Sequence, residues 1–237
     1  MGVDPVSTGK KVCSFDCIYC QIGKTVILTD TRKIFIKSED IIEELDSLPL
    51  LTIDYITFSG AGEPTLAANL GEMIKAAKKI RREKIAVISN ASLLHREDVR
   101  EDLLAADLVI AKLDAPTQDI LKTVNQPIET ITIEHILSGI KMFKQVYKGR
   151  LTLQLMFVEQ NKEYAQDLAW IARQIQPDEV QINTPLRPGG VKPLSEPELN
   201  RIEDYFDGLN TISVYKVKKK RINSISDEDT LRRRGKV

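Results

Sequence analysis

The chain has 237 residues, 42% hydrophobic and 29% charged, the composition of one large or two small soluble globular units with a full core. No apolar run approaches the roughly 18 residues of a membrane span, and Met1-Gly-Val-Asp-Pro lacks the basic and apolar segments of a secretory signal, so a cytoplasmic protein without membrane attachment is expected. Net charge is zero but uneven, because residues 213–237 hold nine Lys/Arg against three Asp/Glu and leave −6 on the rest of the chain. That tail reads either as a solvated terminus or as a nucleic-acid contact.

In chain order, a short first strand is predicted over residues 9–12, ahead of a loop that holds all three cysteines. Residues 25–36 read as a small hairpin and 38–48 as a helix. Four β-branched or apolar runs follow, at 53–58, 84–88, 107–113 and 151–158, each leading into helical patterns (66–82, 93–105, 116–124 with 133–146, and 163–175). A sixth run, 179–183, precedes a helix opened by Ser195 with Glu196 and Glu198 in its first turn, a capping residue with acids at the positive helix end. Residues 211–214 are also strand-like. Strands alternating with helices imply right-handed βαβ units and a parallel α/β sheet, either a partial (β/α)6 TIM-like barrel or an open doubly wound sheet. Both gather chemistry at the C-terminal ends of the strands. The expected division is a core over 1–212 and a basic tail over 213–237, the tail being either the start of a truncated extension or the end of a minimal natural variant. Trp170, Met73 and Met142 lie on helical apolar faces and are expected in the core rather than at a cofactor.

Cys13-Ser-Phe-Asp-Cys17-Ile-Tyr-Cys20 has the spacing C-x3-C-x2-C, and three is an odd count that rules out a disulfide framework. Structural zinc wants four ligands, and the two histidines, His95 and His135, are distant in sequence. A thioredoxin-like pair, Cys17 and Cys20, would leave Cys13 unexplained. Three thiolates on one loop can fill three corners of an iron–sulfur cubane and leave one iron open for chemistry.

Polar groups recur at the same ends of the predicted strands. Ser59-Gly60-Ala61-Gly62-Glu63-Pro64-Thr65 follows the second, and its glycines permit close backbone approach to a ligand or a plain turn. Ser89 and Asn90 end the third and suit a ribose or carboxylate contact, or a helix cap. Lys112 and Asp114 end the fourth, where a buried charge needs a partner or a ligand. Gln154 and Glu159 on or after the fifth strand and Asn183 on the sixth follow the same logic. Arg187, in the loop Asn183-Thr-Pro-Leu-Arg-Pro-Gly-Gly190, suits bidentate recognition of a carboxylate or phosphate, or faces solvent.

The cysteine spacing with Tyr19 just before the last cysteine resembles the signature of the radical S-adenosylmethionine (SAM) superfamily. Within it, Gly2-Val-Asp-Pro, residues 13–25, Phe58-Ser-Gly-Ala-Gly-Glu-Pro-Thr-Leu66 and Gln181-Ile-Asn-Thr-Pro-Leu-Arg-Pro188 resemble the short Fe–S oxidoreductases grouped with the archaeal wyosine (tRNA imidazoguanosine) synthases. The resemblance implies the partial barrel and a [4Fe–4S] cluster on Cys13, Cys17 and Cys20, whose open iron is chelated by the SAM amino and carboxylate groups. It further implies Tyr19 near the adenine, and Gly60, Gly62 and Glu63 at the SAM amino group, Ala61 replacing one glycine found in many relatives. Ser89, Asn90, Asp114, Asn183 and Arg187 are expected as further SAM or substrate contacts. The implied reaction is reductive cleavage to methionine and a 5′-deoxyadenosyl radical that abstracts a substrate hydrogen, in a monomer served by a flavodoxin- or ferredoxin-type reductant. Two substrate classes stand open: tRNA, drawn by the basic tail, or a partner protein on which a glycyl radical is installed. An electron carrier would leave the Gly-Glu-Pro stretch unexplained.

Overall fold

The β-branched runs become strands because one of their two faces lies under helices. In Arg150–Met156, Leu151, Leu153 and Leu155 are fully buried, while Thr152, Gln154 and Met156 occupy the opposite face. In this computed structural model, which describes residues 1–49, 53–187 and 189–217, seven parallel strands make the main sheet. They are β1 (Gly2–Val3), β4 (Tyr55–Phe58), β5 (Lys84–Ser89), β6 (Leu108–Lys112), β7 (Arg150–Met156), β8 (Glu179–Asn183) and β9 (Thr211–Ser213), side by side in that order. A separate parallel pair joins β2 (Val12–Cys13) to β3 (Ile27–Leu28). The helices are α1 (Ser38–Ser47), α2 (Leu70–Ile80), α3 (Glu97–Leu103), α4 (Gln118–Val124), α5 (Ile133–Val146), α6 (Ala165–Ile175) and α7 (Glu196–Asp204).

Spatial order in the main sheet follows chain order with no reversal. Right-handed crossovers then all wind the same way and cover one face. This is the partial barrel; a doubly wound sheet needs a switch point where the order reverses. Register aligns Lys112 with Gln154 and Gln154 with Gln181, so three polar side chains sit in one row on the face away from the buried leucines. Among the described residues no helix is long and apolar enough to cross a membrane.

Several expectations are corrected. The first strand of the sheet is Gly2–Val3, paired with Thr57 and Phe58, and not residues 9–12. Residues 25–36 are no hairpin: Ile27 and Leu28 pair in parallel with Val12 and Cys13. The rest of that segment is pulled inward by Arg32, which bonds the Thr65 and Ala67 carbonyls and the carboxylates of Asp98 and Asp102. Helix α2 begins at Leu70, after a 3-10 turn over Pro64–Leu66, and α3 begins only at Glu97, after a turn in which Ala91 has φ of 63°.

Trp170 is 62% exposed, because the buried stripe of α6 runs through Ala165, Leu168, Ala172 and Ile175 and leaves residue 170 on the far side. Met142 stands at the edge of the α5 stripe and is partly exposed, whereas Met73 is fully buried. The basic run is described only at Lys216, which pairs with Glu203 at 2.8 Å. Lys218, Lys219, Lys220 and Arg221, and the remainder of the tail, lie outside the described residues.

Candidate active site

The cysteine loop leaves β2 and is held by the segment after α4. The Ile18 amide donates to the Val124 carbonyl at 3.0 Å, the Asp16 amide to that of Asn125 at 3.1 Å, and the Ile128 amide to that of Ser14 at 2.9 Å. All three thiols are free and half-buried. Burial pushes the Cys13 thiol up to about 12, with Glu63 adding to the shift, and Cys17 up to about 11, with Asp114 adding. A thiol in that setting gives up its proton when a cation takes over the charge, as iron does.

Two amides reach the sulfurs. Asn90 Nδ2 lies 3.7 Å from Cys13 Sγ and donates to Ser14 Oγ at 2.8 Å. Asn125 Nδ2 lies 3.5 Å from Cys17 Sγ and 2.8 Å from Asp114 Oδ2. Tyr19 donates its hydroxyl to that same Asp114 oxygen, and burial, then Asp114, raises the phenol well above its ordinary value. The other Asp114 oxygen accepts from the Met156 amide at 2.8 Å. Lys112 Nζ stands 5.1 Å from the Tyr19 ring centre and 3.9 Å from Asp114, so the ion pair read from the sequence exists inside a larger network.

The glycine loop is built for close approach. A Cβ on Gly62 would lie 1.8 Å from the Val12 carbonyl oxygen, and one on Gly60 would lie 2.2 Å from Asp4 Cγ. The Asp4 carboxylate accepts from the Ala61 amide at 3.0 Å and from the Val6 amide at 3.1 Å, bracing the loop from the end of β1. Glu63 is 2% exposed. Its oxygens accept from the Thr65 amide and hydroxyl, from Ser89 Oγ at 2.7 Å and from the Asn90 amide at 2.7 Å. Three of the donors meet Oε1 and one meets Oε2, so Glu63 acts as a clamp between the ends of β4 and β5 while Oε2 keeps room for a further donor.

The expected residues therefore converge unevenly. Tyr19, Gly60, Gly62, Glu63, Ser89, Asn90 and Asp114 join the cysteines in one network. Asn183 ends β8 on the same rim, and Arg187 donates to Gln21 Oε1 at 3.2 Å, which ties the β8 loop to the exit of the cysteine loop. Gln154 is joined to Lys112 and Gln181 on the inner face. Glu159 does not join: its side chain is exposed and paired with Lys162 at 2.8 Å. Sequence reasoning passed over Asp4 and Asn125. Asp4 carried a signal as an acid at a strand end, and Asn125 as the cap of α4; neither spacing pointed to the cysteines.

The donor set fits an iron–sulfur cubane. Three free thiols on one loop, two of them with an amide donor beside the sulfur, offer a cubane one thiolate for each of three irons. Asn125 is 1% exposed; its Nδ2 serves Cys17 and Asp114, while its Oδ1 is buried without a partner among the described residues. Such an orphan acceptor is costly unless a further group meets it.

A family model described as the radical SAM superfamily matches residues 10–171. A UPF0026 protein of Synechocystis sp. is 41% identical over 195 residues, 82% of this chain and 72% of that protein. A second, from Methanocaldococcus jannaschii, is 36% identical over 209 residues, 85% of this chain and 65% of that one. Among solved structures, Streptococcus suis SuiB bound to S-adenosylmethionine superposes with a TM-score of 0.65 at 15% identity, covering 90% of this chain and 49% of SuiB. SuiB has also been solved bound to its precursor peptide SuiA. The chain thus spans 72% and 65% of these two curated relatives and about half of SuiB. The sequence match through the cysteine loop and the fold agree: this chain belongs to the radical SAM superfamily.

Proposed function

We propose that this chain holds a [4Fe–4S] cluster on Cys13, Cys17 and Cys20, cleaves SAM reductively, and abstracts a hydrogen atom from tRNA. When bound, the cluster supplies the electron that breaks the sulfonium C–S bond to methionine and a 5′-deoxyadenosyl radical. The observation that carries this reading is the meeting of the cysteine loop, the glycine loop and the Tyr19–Asp114–Asn125 network at one end of the sheet. Glu63 keeps the glycine loop in place through Ser89 and Asn90, leaving backbone groups of residues 60–62 to face the SAM amino group. Asn90 and Asn125 orient the thiolates and screen their charge. Asn183 and Arg187 close the rim. The cations at 216–221 support tRNA by supplying phosphate contacts, while the peptide held by SuiB favours a polypeptide substrate as the competing reading.

Anaerobic reconstitution should load about four iron and four sulfide per chain, and changing any one of Cys13, Cys17 or Cys20 to Ala should remove most of both. Dithionite should then release 5′-deoxyadenosine without substrate. Stoichiometric zinc with no cluster would overturn the chemistry. The tRNA assignment is checked by binding: affinity that falls steeply with salt supports it, and a stable 1:1 complex with a polypeptide, without RNA affinity, replaces it.

A further inference from the structure

The inner face of the sheet carries a chain of side-chain hydrogen bonds that the cluster and SAM assignments leave without a role. Lys112 Nζ lies 3.4 Å from Gln154 Oε1, Gln154 Nε2 donates to Gln181 Oε1 at 2.9 Å, and Gln181 Nε2 donates to Glu179 Oε1 at 3.1 Å. Its direction is fixed at both ends. An ammonium only donates and an ionised carboxylate only accepts, so each glutamine turns its oxygen toward Lys112 and its nitrogen toward Glu179. Arg150 holds the far end, 2.6 Å from the other Glu179 oxygen.

What this chain leaves open is donors. The Lys112 side chain is 15% exposed, and of its three N–H groups the described residues meet one, in a long bond. Its ion pair with Asp114 is stretched to 3.9 Å, and both Asp114 oxygens already accept from closer donors. The second amide hydrogens of Gln154 and Gln181 have no acceptor among the described residues. One pleat below, on the same face, Thr152 is 1% exposed and its hydroxyl has no partner among those residues. Buried polar groups of this kind cost stability until a further group meets them.

Register sets Lys112, Gln154 and Gln181 side by side on three neighbouring strands, a row of roughly 10 Å. It starts beside the Tyr19–Asp114 network and faces the hollow of the partial barrel, with the charge at one end and neutral donors after it. A nucleotide has the matching order, an anionic phosphate followed by the neutral acceptors of sugar and base. A concave face takes one nucleotide drawn out of its helix rather than the helix itself. We infer that Lys112 receives the phosphate, and Gln154 and Gln181 the neutral acceptors, of a single nucleotide that enters the barrel. The inference rests on the tRNA reading above and names the side chains that would hold that substrate.

The test titrates cluster-loaded protein with SAM present, by calorimetry, using total tRNA, the four nucleoside 5′-monophosphates and their parent nucleosides. At least one monophosphate should bind about tenfold more tightly than its nucleoside, as one charge-assisted contact provides. Lys112→Met should abolish that preference and Lys112→Arg should retain most of it, while Gln154→Leu should weaken monophosphate and nucleoside alike. A wild type that does not prefer any monophosphate to its nucleoside overturns the assignment without recourse to a variant. So does a preference that survives in Lys112→Met; in either case salt-dependent tRNA binding leaves the tRNA reading standing. Loss of SAM binding in Lys112→Met with the phosphate preference intact gives the cation to the cofactor and overturns the assignment too. A wild type with affinity for neither tRNA nor any nucleotide overturns the tRNA reading itself. In that event, Lys112-dependent binding of a glutamate-containing tripeptide transfers the row to a polypeptide substrate.

Discussion

Glu63 shows how a residue expected at a ligand can at the same time brace the protein. Its two oxygens already serve Thr65, Ser89 and the Asn90 amide in a buried place, and burial raises its pKa despite those donors. Glu63→Ala should therefore lower stability by about 3 kcal/mol, since each buried donor left unmet costs about 1–3 kcal/mol. Urea unfolding of the cluster-free protein checks this, and a loss below about 1 kcal/mol would show the clamp to be dispensable. Any loss of SAM binding in that variant then has to be read against the displaced loop. The glycines were legible in sequence as points of close approach, but what approaches them was not: Gly62 meets the Val12 carbonyl and Gly60 meets Asp4, partners that only the fold brings there. Asn125 was illegible for the same reason, being 108 residues from Cys17.

At the scale of elements, periodicity located the interior strands and blurred the edges. β5, β6, β7 and β8 fall on the predicted runs to within two residues at either end, because a parallel strand buried under helices must be continuously apolar on one face. β1 is two residues long and β3 pairs across a gap of about a dozen residues, so neither leaves a periodic trace. Met73 and Trp170 both read as members of helical apolar faces, and only the fold separates them. In α2 Met73 lies in the stripe and in α6 Trp170 lies opposite it. The two residues should then respond differently to truncation. Met73→Ala should cost about 2–5 kcal/mol through the cavity it leaves, and Trp170→Ala within about 0.5 kcal/mol. Trp170 is the sole tryptophan, so its emission in the folded protein should already be red-shifted and readily quenched by iodide; a blue-shifted, protected emission would contradict this placement.

Across the whole molecule, one side chain ties the cysteine side of the barrel to the helical layer. Arg32 leaves the segment after β3 with its side chain 7% exposed. It donates to the Thr65 and Ala67 carbonyls ahead of α2, and to Asp98 and Asp102 on α3. Five guanidinium donors in a fixed fork suit four acceptors on two elements, a task lysine cannot reproduce. Nothing in Thr31-Arg-Lys marked Arg32 as internal, since its partners lie 33 to 70 residues on. Arg32→Leu strands those carbonyls and removes a partner of Asp98, and should cost about 3 kcal/mol, at the low end for a broken buried pair because Asp98 remains half-exposed and rehydrates. The loss should depend on pH. Arg96, and then Arg32, hold the Asp98 carboxyl well below its ordinary value, so its stabilisation is complete above about pH 4 and disappears as pH falls further. The difference in unfolding free energy between wild type and Arg32→Leu should accordingly be smaller near pH 3 than near pH 7. The expected second effect is local: limited proteolysis should cut the variant between residues 28 and 36 ahead of the core, with the β5–β8 strands still protected. A variant as stable as the wild type, and cut no faster in that segment, would show that the segment is held by its strand pairing alone.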